Sequence, residues 1–113
     1  MTPSEGGAGG LSEKVALSCN VVANEGHADV ILGHVSALDP DSGNVFMKGG
    51  RYGLEEVTAQ GVIECDLDGE ILDGDGKLHS EYPIQAEIYR ARPDVGCVVH
   101  THPPHAVALG ESA

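Results

Sequence analysis

Hydrophobic residues near the amino terminus recur every three or four positions, as they do on one face of a helix. The stripe comprises Leu11, Val15, Cys19 and Val22. Ser12 is suited to cap the start of this helix, and Gly26 is suited to close it. Glycines and small polar residues dominate positions 1–10, which favours a disordered lead before one domain spanning 11–113.

The middle of the chain has the pattern of strands joined by tight turns. An apolar strand is predicted for 29–38 and a second for 45–48, with the turn-forming cluster 39–44 between them. Further on, apolar stretches at 62–67 and 70–72 flank Asp68-Gly69, a strong signal for a hairpin. Both pairs therefore predict antiparallel strands.

A second helical stripe consists of Ile84, Ile88 and Ala91. Ser80 is the predicted cap, and the helix should end at Arg92, because the residue before a proline disfavours helix. An apolar strand around 97–102 and the start of another helix at 105–113 complete the pattern. The order predicts an α/β fold of the α+β type, with a mainly antiparallel central sheet covered by helices.

Composition narrows the possible partners. The chain has 113 residues with 18 acidic and 6 basic side chains, a formal net charge of −12, so nucleic acid and anionic membranes are poor candidates. Its segments are too short or too polar for a membrane span. Three widely spaced cysteines, Cys19, Cys65 and Cys97, suggest buried thiols in a reducing cytosol rather than a disulfide framework.

The strongest candidate chemistry lies at the end of the last predicted strand, at His100 and His102. Side chains two apart on a strand point to the same face, so both imidazoles can grip one metal ion. The alternative is a solvated pair at a strand end. Glu81, before the second helix, is a candidate acid/base, and its alternative role is a charge favoured near a helix N-terminus.

Four parts of the chain form a recognisable combination: 79–95, with His79-Ser80-Glu81 at its start; 98–104, which contains both histidines; Gly33-His34-Val35-Ser36; and 55–58 followed by 66–69. Together they resemble the class II aldolase/adducin family. Each piece alone is weak, but the combination is specific and covers the chain from about residue 11 to its end.

The resemblance implies roles for individual residues. His100 and His102 match metal-binding histidines, with zinc the first choice and manganese or iron as alternatives, and Glu81 matches the carboxylate that moves protons. The positions where relatives bind a substrate phosphate or carboxylate are Gly33, His34, Gly50, Arg51, His79 and Ser80. Relatives are tetramers, so a homo-oligomer is expected. They are also usually longer, with a later histidine completing the metal triad, so this domain is expected to be partial.

The predicted function is a metal-dependent lyase that makes or breaks a carbon–carbon bond next to a carbonyl in a small, oxygenated, anionic substrate. The loop 46–51 looks unlike the usual sugar-phosphate loop, which tilts the prediction towards a carboxylate substrate and an aldolase- or decarboxylase-type reaction. The alternative is a non-catalytic, adducin-like interaction module or an inactive truncated homologue. His105 is a conceivable third ligand, whereas His27 is given no role.

Overall fold

The chain forms one five-stranded antiparallel sheet with helices on both faces, in a computed structural model that describes residues 8–27, 33–50, 52–74 and 76–112. The elements in chain order are α1 (Ala8–Val22), β1 (His34–Leu38), β2 (Val45–Lys48), β3 (Val62–Cys65), β4 (Ile71–Asp73), α2 (Tyr82–Ala91), β5 (Cys97–His100) and α3 (Pro104–Ser112). This arrangement confirms the predicted fold class.

Both predicted hairpins are present, and the strand order is β4-β3-β2-β1-β5. The turn between β1 and β2 closes through the Asp39 backbone, which donates from its N–H to Asn44 O and accepts at its C=O from Gly43 N–H. Gly69 has a positive φ of 89° in the turn between β3 and β4, a conformation that favours glycine. Local turn chemistry therefore sets the register of both hairpins.

The two sheet faces carry separate hydrophobic clusters. Helix α1 packs Val15 and Cys19 against Val35 of β1 and Phe46 of β2. Helix α2 covers the opposite face, where Met47 and Cys65 meet a cluster containing Tyr82, Ala86 and Tyr89. Successive strand residues point to opposite faces. His34 and Ser36 therefore share the face that α2 covers, whereas Val35 faces α1.

Helix α1 begins earlier than predicted, at Ala8, so residues 8–10 belong to it and not to a disordered lead; positions 1–7 lie outside the described residues. Packing of Leu11 and Val15 on the sheet outweighs the poor helix propensity of the preceding glycines. The helix ends at Val22, before Gly26, its predicted closing residue; Gly26 lies in the turn that follows and has a φ of 84°. Of the strand predicted at 29–38, residues 29–32 lie outside the described residues, and β1 occupies 34–38.

The predicted buried face of α2 is wrong. Ile84 is 44% exposed and Ala91 is also exposed, whereas the buried residues are Tyr82, Gln85, Ala86 and Tyr89. The sheet surface beneath the helix is polar at His34 and Ser36, which contact Gln85 of the buried helix face. It is apolar at Met47 and Cys65, which pack in one cluster with the other buried residues of that face. Ser80 is not the cap either, since Glu81 occupies that position.

Strand β5 lies at the edge of the sheet, beside β1. Cys97 is exposed there, which corrects the prediction of three buried thiols; Cys19 and Cys65 are buried. Val99 is 52% exposed, so the side of β5 that faces away from α2 is open. Among the described residues, none of the helices is both long and apolar enough to cross a bilayer.

Candidate active site

The site is built where β1, β5 and the start of α2 meet. The β1–β5 register sets His34 directly opposite His100, and their ring centroids lie 4.6 Å apart. Glu81 immediately precedes α2, and the helix start carries its carboxylate over the same sheet face. Glu81 Oε1 lies 3.5 Å from His34 Nε2. The structure thus brings Glu81 to the histidines, which the sequence alone could not establish.

His34, Glu81 and His100 form a group that could hold a metal ion, with one ligand atom from each lying within 4.8 Å of the others. The Glu81 side chain is 37% exposed, yet its Oε1 atom is buried. Neither Oε1 nor the buried His34 Nε2 has a hydrogen-bond partner. Buried polar atoms are nearly always paired, so this donor set fits an ion or a polar ligand between its members.

The His100 and His102 rings converge, as strand alternation predicts, although His102 lies just beyond the end of β5. Their Nε2 atoms are 3.2 Å apart. Two nitrogens bound tetrahedrally at zinc-like distances of about 2.0–2.1 Å would lie about 3.3–3.4 Å apart. The spacing therefore fits a shared cation. The role of the two histidines as ligands stays a prediction.

Burial decides the charge of His34, whose side chain is completely enclosed. Its pKa falls from 6.5 to about 4, mainly through loss of hydration and secondarily through the neighbouring His79 and His100; Glu81 acts in the opposite direction. The imidazole is therefore neutral at pH 7. Its 3.5 Å contact with Glu81 is for that reason not an ion pair.

Gly33 and His79 lie beside His34. Gly33 is buried, and a methyl group in its place would press on Leu54. His79 is also buried, and its ring centroid lies 4.6 Å from that of His34. Its Nδ1 accepts a hydrogen bond from Glu81 N–H at 3.1 Å, which ties the loop to the helix start. These predicted anion-binding residues do gather together.

The remaining predicted anion-binding residues are Gly50, Ser80 and Arg51. Gly50 packs closely on the His79 segment, because a Cβ there would stand 3.0 Å from Leu78 O and 3.1 Å from His79 Cα. Ser80 is exposed. Arg51 lies outside the described residues. Gly50 therefore supports the backbone of the site, and it is a position where a side chain would displace the His79 loop.

His27 has a contact that its sequence position does not suggest. Its Nδ1 forms a 3.0 Å hydrogen bond with Thr101 Oγ1, between the two strand-end histidines. His105 is exposed and lines, with His27 and Pro103, a cavity of about 510 Å³. Within the described residues His105 is not part of the His34–Glu81–His100 group.

A buried polar row behind His34 was also missed from sequence. Ser36 Oγ donates to Gln85 Oε1 and hydrogen-bonds Tyr89 OH at 2.7 Å, while Gln85 Nε2 contacts His34 Nδ1. Two spacings hinted at it. Ser36 is two residues from His34 on one strand, and Gln85 and Tyr89 follow Glu81 at intervals of four on one helix.

Comparison with known proteins agrees with this architecture. Residues 13–113 match the class II aldolase and adducin N-terminal domain family. A 3,4-dihydroxyphthalate decarboxylase from Arthrobacter keyseri is 40% identical over 106 residues, which are 88% of this chain and 43% of that protein. The chain therefore spans under half the length of this relative.

Solved structures show the same fold. An aldolase II superfamily protein from Pseudomonas syringae is 28% identical with a TM-score of 0.83, covering 96% of this chain and 43% of the other. The L-fuculose 1-phosphate aldolase from Glaciozyma antarctica PI12 is 23% identical with a TM-score of 0.79, covering 91% and 44%. At that identity the second match shows the fold alone.

The matched region and the site geometry together define the class of protein: the chain belongs to the class II aldolase and adducin family. Its matched relatives include a decarboxylase and an aldolase II superfamily protein.

Proposed function

We propose that this chain carries the metal and proton-transfer site of a lyase that cleaves a carbon–carbon bond next to a carbonyl in a small, oxygenated, anionic substrate. The observation that carries the proposal is the convergence of His100 and His102, whose Nε2 atoms are 3.2 Å apart, together with Glu81, which lies in one group with His34 and His100 and whose buried Oε1 has no hydrogen-bond partner. A scaffold has no need of such a group, and unpaired buried polar atoms destabilise a fold.

Each residue then has a distinct task. His100 and His102 would hold a divalent cation, with zinc the first candidate and manganese or iron as alternatives. When bound, the cation supplies positive charge that stabilises negative charge developing on a substrate oxygen. Glu81 holds or delivers the proton at Oε1, the carboxylate oxygen that faces inward. Gly33, His34 and His79 line the side where an anionic substrate group would lie.

A decarboxylase-type reaction is favoured over sugar-phosphate cleavage. The decarboxylase relative is 40% identical to this chain, whereas the Glaciozyma aldolase shares 23% and supports the fold only. Decarboxylation breaks the bond between a carbon atom and its carboxylate, and the electron pair left on that carbon takes up a proton. Glu81, whose buried Oε1 lies among the site histidines, is the group we assign to supply this proton.

The family resemblance also leads us to propose a homo-oligomer. Exposed apolar side chains remain on α1 and β5, including Leu17 and Val99, and further protein surface would bury them. Light scattering on the purified chain gives the mass directly. A monomer at assay concentration would remove the oligomer from the proposal.

The reaction is tested with the purified chain, loaded with Zn²⁺ or Mn²⁺ and given 3,4-dihydroxyphthalate or L-fuculose 1-phosphate. We expect CO₂ release from the dicarboxylate, and a loss of about 10²–10⁴-fold in Glu81→Gln. Glu87→Gln, on the exposed face of the same helix, is the matched control and should keep the rate. Stoichiometric metal binding without turnover of either compound would favour the non-catalytic homologue instead.

A further inference from the structure

Behind His34 lies a row of three buried polar side chains that the proposed reaction does not use. Ser36 and Gln85 are completely buried, and Tyr89 is nearly so. Their side chains form one continuous series of contacts that ends at His34: Tyr89 OH to Ser36 Oγ, Ser36 Oγ to Gln85 Oε1, and Gln85 Nε2 to His34 Nδ1. Buried polar groups of this kind are retained when each has a partner, so the direction of each hydrogen bond can be worked out.

The direction is set at Ser36. A hydroxyl has one proton, and Ser36 Oγ donates its own to Gln85 Oε1. Tyr89 OH, 2.7 Å from Ser36 Oγ, is therefore the donor in the contact between the two hydroxyl groups. This order turns the Gln85 amide nitrogen towards His34.

The opposite amide orientation leaves a hydroxyl proton without an acceptor. If Gln85 turned its NH₂ group to Ser36, the single contact between the Ser36 and Tyr89 hydroxyl groups would use only one of their two protons. The other proton would have no acceptor among the described contacts of this row. The amide orientation in the structure gives both hydroxyl protons an acceptor.

An amide nitrogen only donates, so His34 Nδ1 must present a lone pair to it. A doubly protonated ring would set an N–H against the amide N–H groups. The single proton of the ring therefore belongs on Nε2, the atom that is buried, unpartnered and directed at Glu81.

We propose that the row Ser36–Gln85–Tyr89 fixes the tautomer of His34 with its proton on Nε2, so that His34 donates a hydrogen bond to an anionic oxygen of the substrate and does not bind the metal. This inference rests on the proposed function for its substrate and deepens it. Gln85 is a positioning residue that acts through His34. The imidazole ligands are then His100 and His102, although His34 lies close enough to be counted with them.

The tautomer is measured on the ¹⁵N-histidine-labelled chain by long-range ¹H–¹⁵N correlation, first without metal and then with added Zn²⁺. We expect the His34 proton on Nε2 in both states, while Zn²⁺ shifts the ring resonances of His100 and His102. A proton on Nδ1 without metal, or loss of the Nε2 proton when Zn²⁺ binds, would overturn the inference. If Zn²⁺ shifts no histidine, the metal proposal fails, and the metal-free spectrum still decides the tautomer.

Two variants test the role of the row. Gln85→Glu replaces the donor by a carboxylate that only accepts, so it should place a proton on His34 Nδ1; Glu87→Gln on the exposed side of α2 should leave the wild-type spectrum. Ser36→Ala, which frees the amide to turn, should reduce the Nε2-protonated fraction and serves if the first variant does not fold. A wild-type tautomer in the folded variants would show that the row does not set it.

Discussion

Replacing Gly33 by alanine tests how tightly the core packs around this glycine, which precedes His34 in the chain. The added methyl carbon would stand 2.6 Å from Leu54 Cδ1, 3.3 Å from Leu54 Cγ and 3.5 Å from His100 O. Carbon atoms in optimal contact lie about 3.5–4.0 Å apart, so the overlap with Cδ1 is roughly 1 Å. Leu54 is completely buried and has to move within packed surroundings.

Such overpacking costs about 1–3 kcal/mol. For a domain of this size, each kcal/mol lowers Tm by about 4 °C, so we expect Gly33→Ala to melt about 4–12 °C lower. Leu54→Ala alone should cost about 2–5 kcal/mol through the cavity it leaves. The double variant removes the overlap, and its loss should therefore be smaller than the sum of the two by about 1–3 kcal/mol.

Urea denaturation of the four proteins measures the free energies of unfolding. Gly96→Ala is the matched control, since a Cβ at Gly96 meets no atom within 4 Å, and it should change stability little. Losses that add to within about 0.5 kcal/mol would refute the steric argument. So would a Gly33→Ala protein as stable as the wild type.

Three further predictions concern buried charge, thiols and metal. At pH 8 the exposed Cys97 should react with iodoacetamide. Cys19 should stay unmodified in the folded chain, because it is buried and burial raises its pKa to about 11. Peptide mass analysis distinguishes the two thiols, and equal labelling would contradict the packing. Burial lowers the pKa of Lys48, so above that pKa the unfolded chain binds a proton that the folded chain has lost. The stability of the wild type relative to Lys48→Met should therefore rise as the pH approaches 10.5, the ordinary lysine pKa. A stability difference that does not change with pH in denaturation curves would count against this. Zn²⁺ at 100 times its Kd should add about 2.7 kcal/mol to the free energy of unfolding, an effect that EDTA reverses and that should vanish in a His100→Ala, His102→Ala variant; an unchanged gain would place the metal elsewhere.

Local signals predicted the sheet well because its hairpins are short-range. Asp68-Gly69 and the 39–44 cluster each specify a turn through their own backbone preferences, and both occur where expected. The buried face of α2 could not be read in the same way. Ile84 is apolar yet exposed, because the helix packs on Ser36 and His34 and turns Gln85 towards them.

The candidate site likewise combines features that local sequence predicts with features that depend on tertiary packing. The convergence of His100 and His102 follows from strand alternation over two residues. The position of His34 opposite His100 depends on pairing β1 with β5, which are distant in sequence, and no local pattern specifies that register. The exposure of Cys97 likewise depends on β5 lying at the sheet edge, a property of strand order and not of the strand itself.

The metal site is tested most directly by a crystal structure of the Zn²⁺-loaded chain with anomalous diffraction at the zinc edge. One zinc peak is expected about 2.0–2.1 Å from Nε2 of both His100 and His102, with Glu81 beside it and His34 outside the coordination sphere. A zinc ion bound away from these two histidines, or a His100–His102 pair that diverges with no metal between the rings, would contradict this expectation.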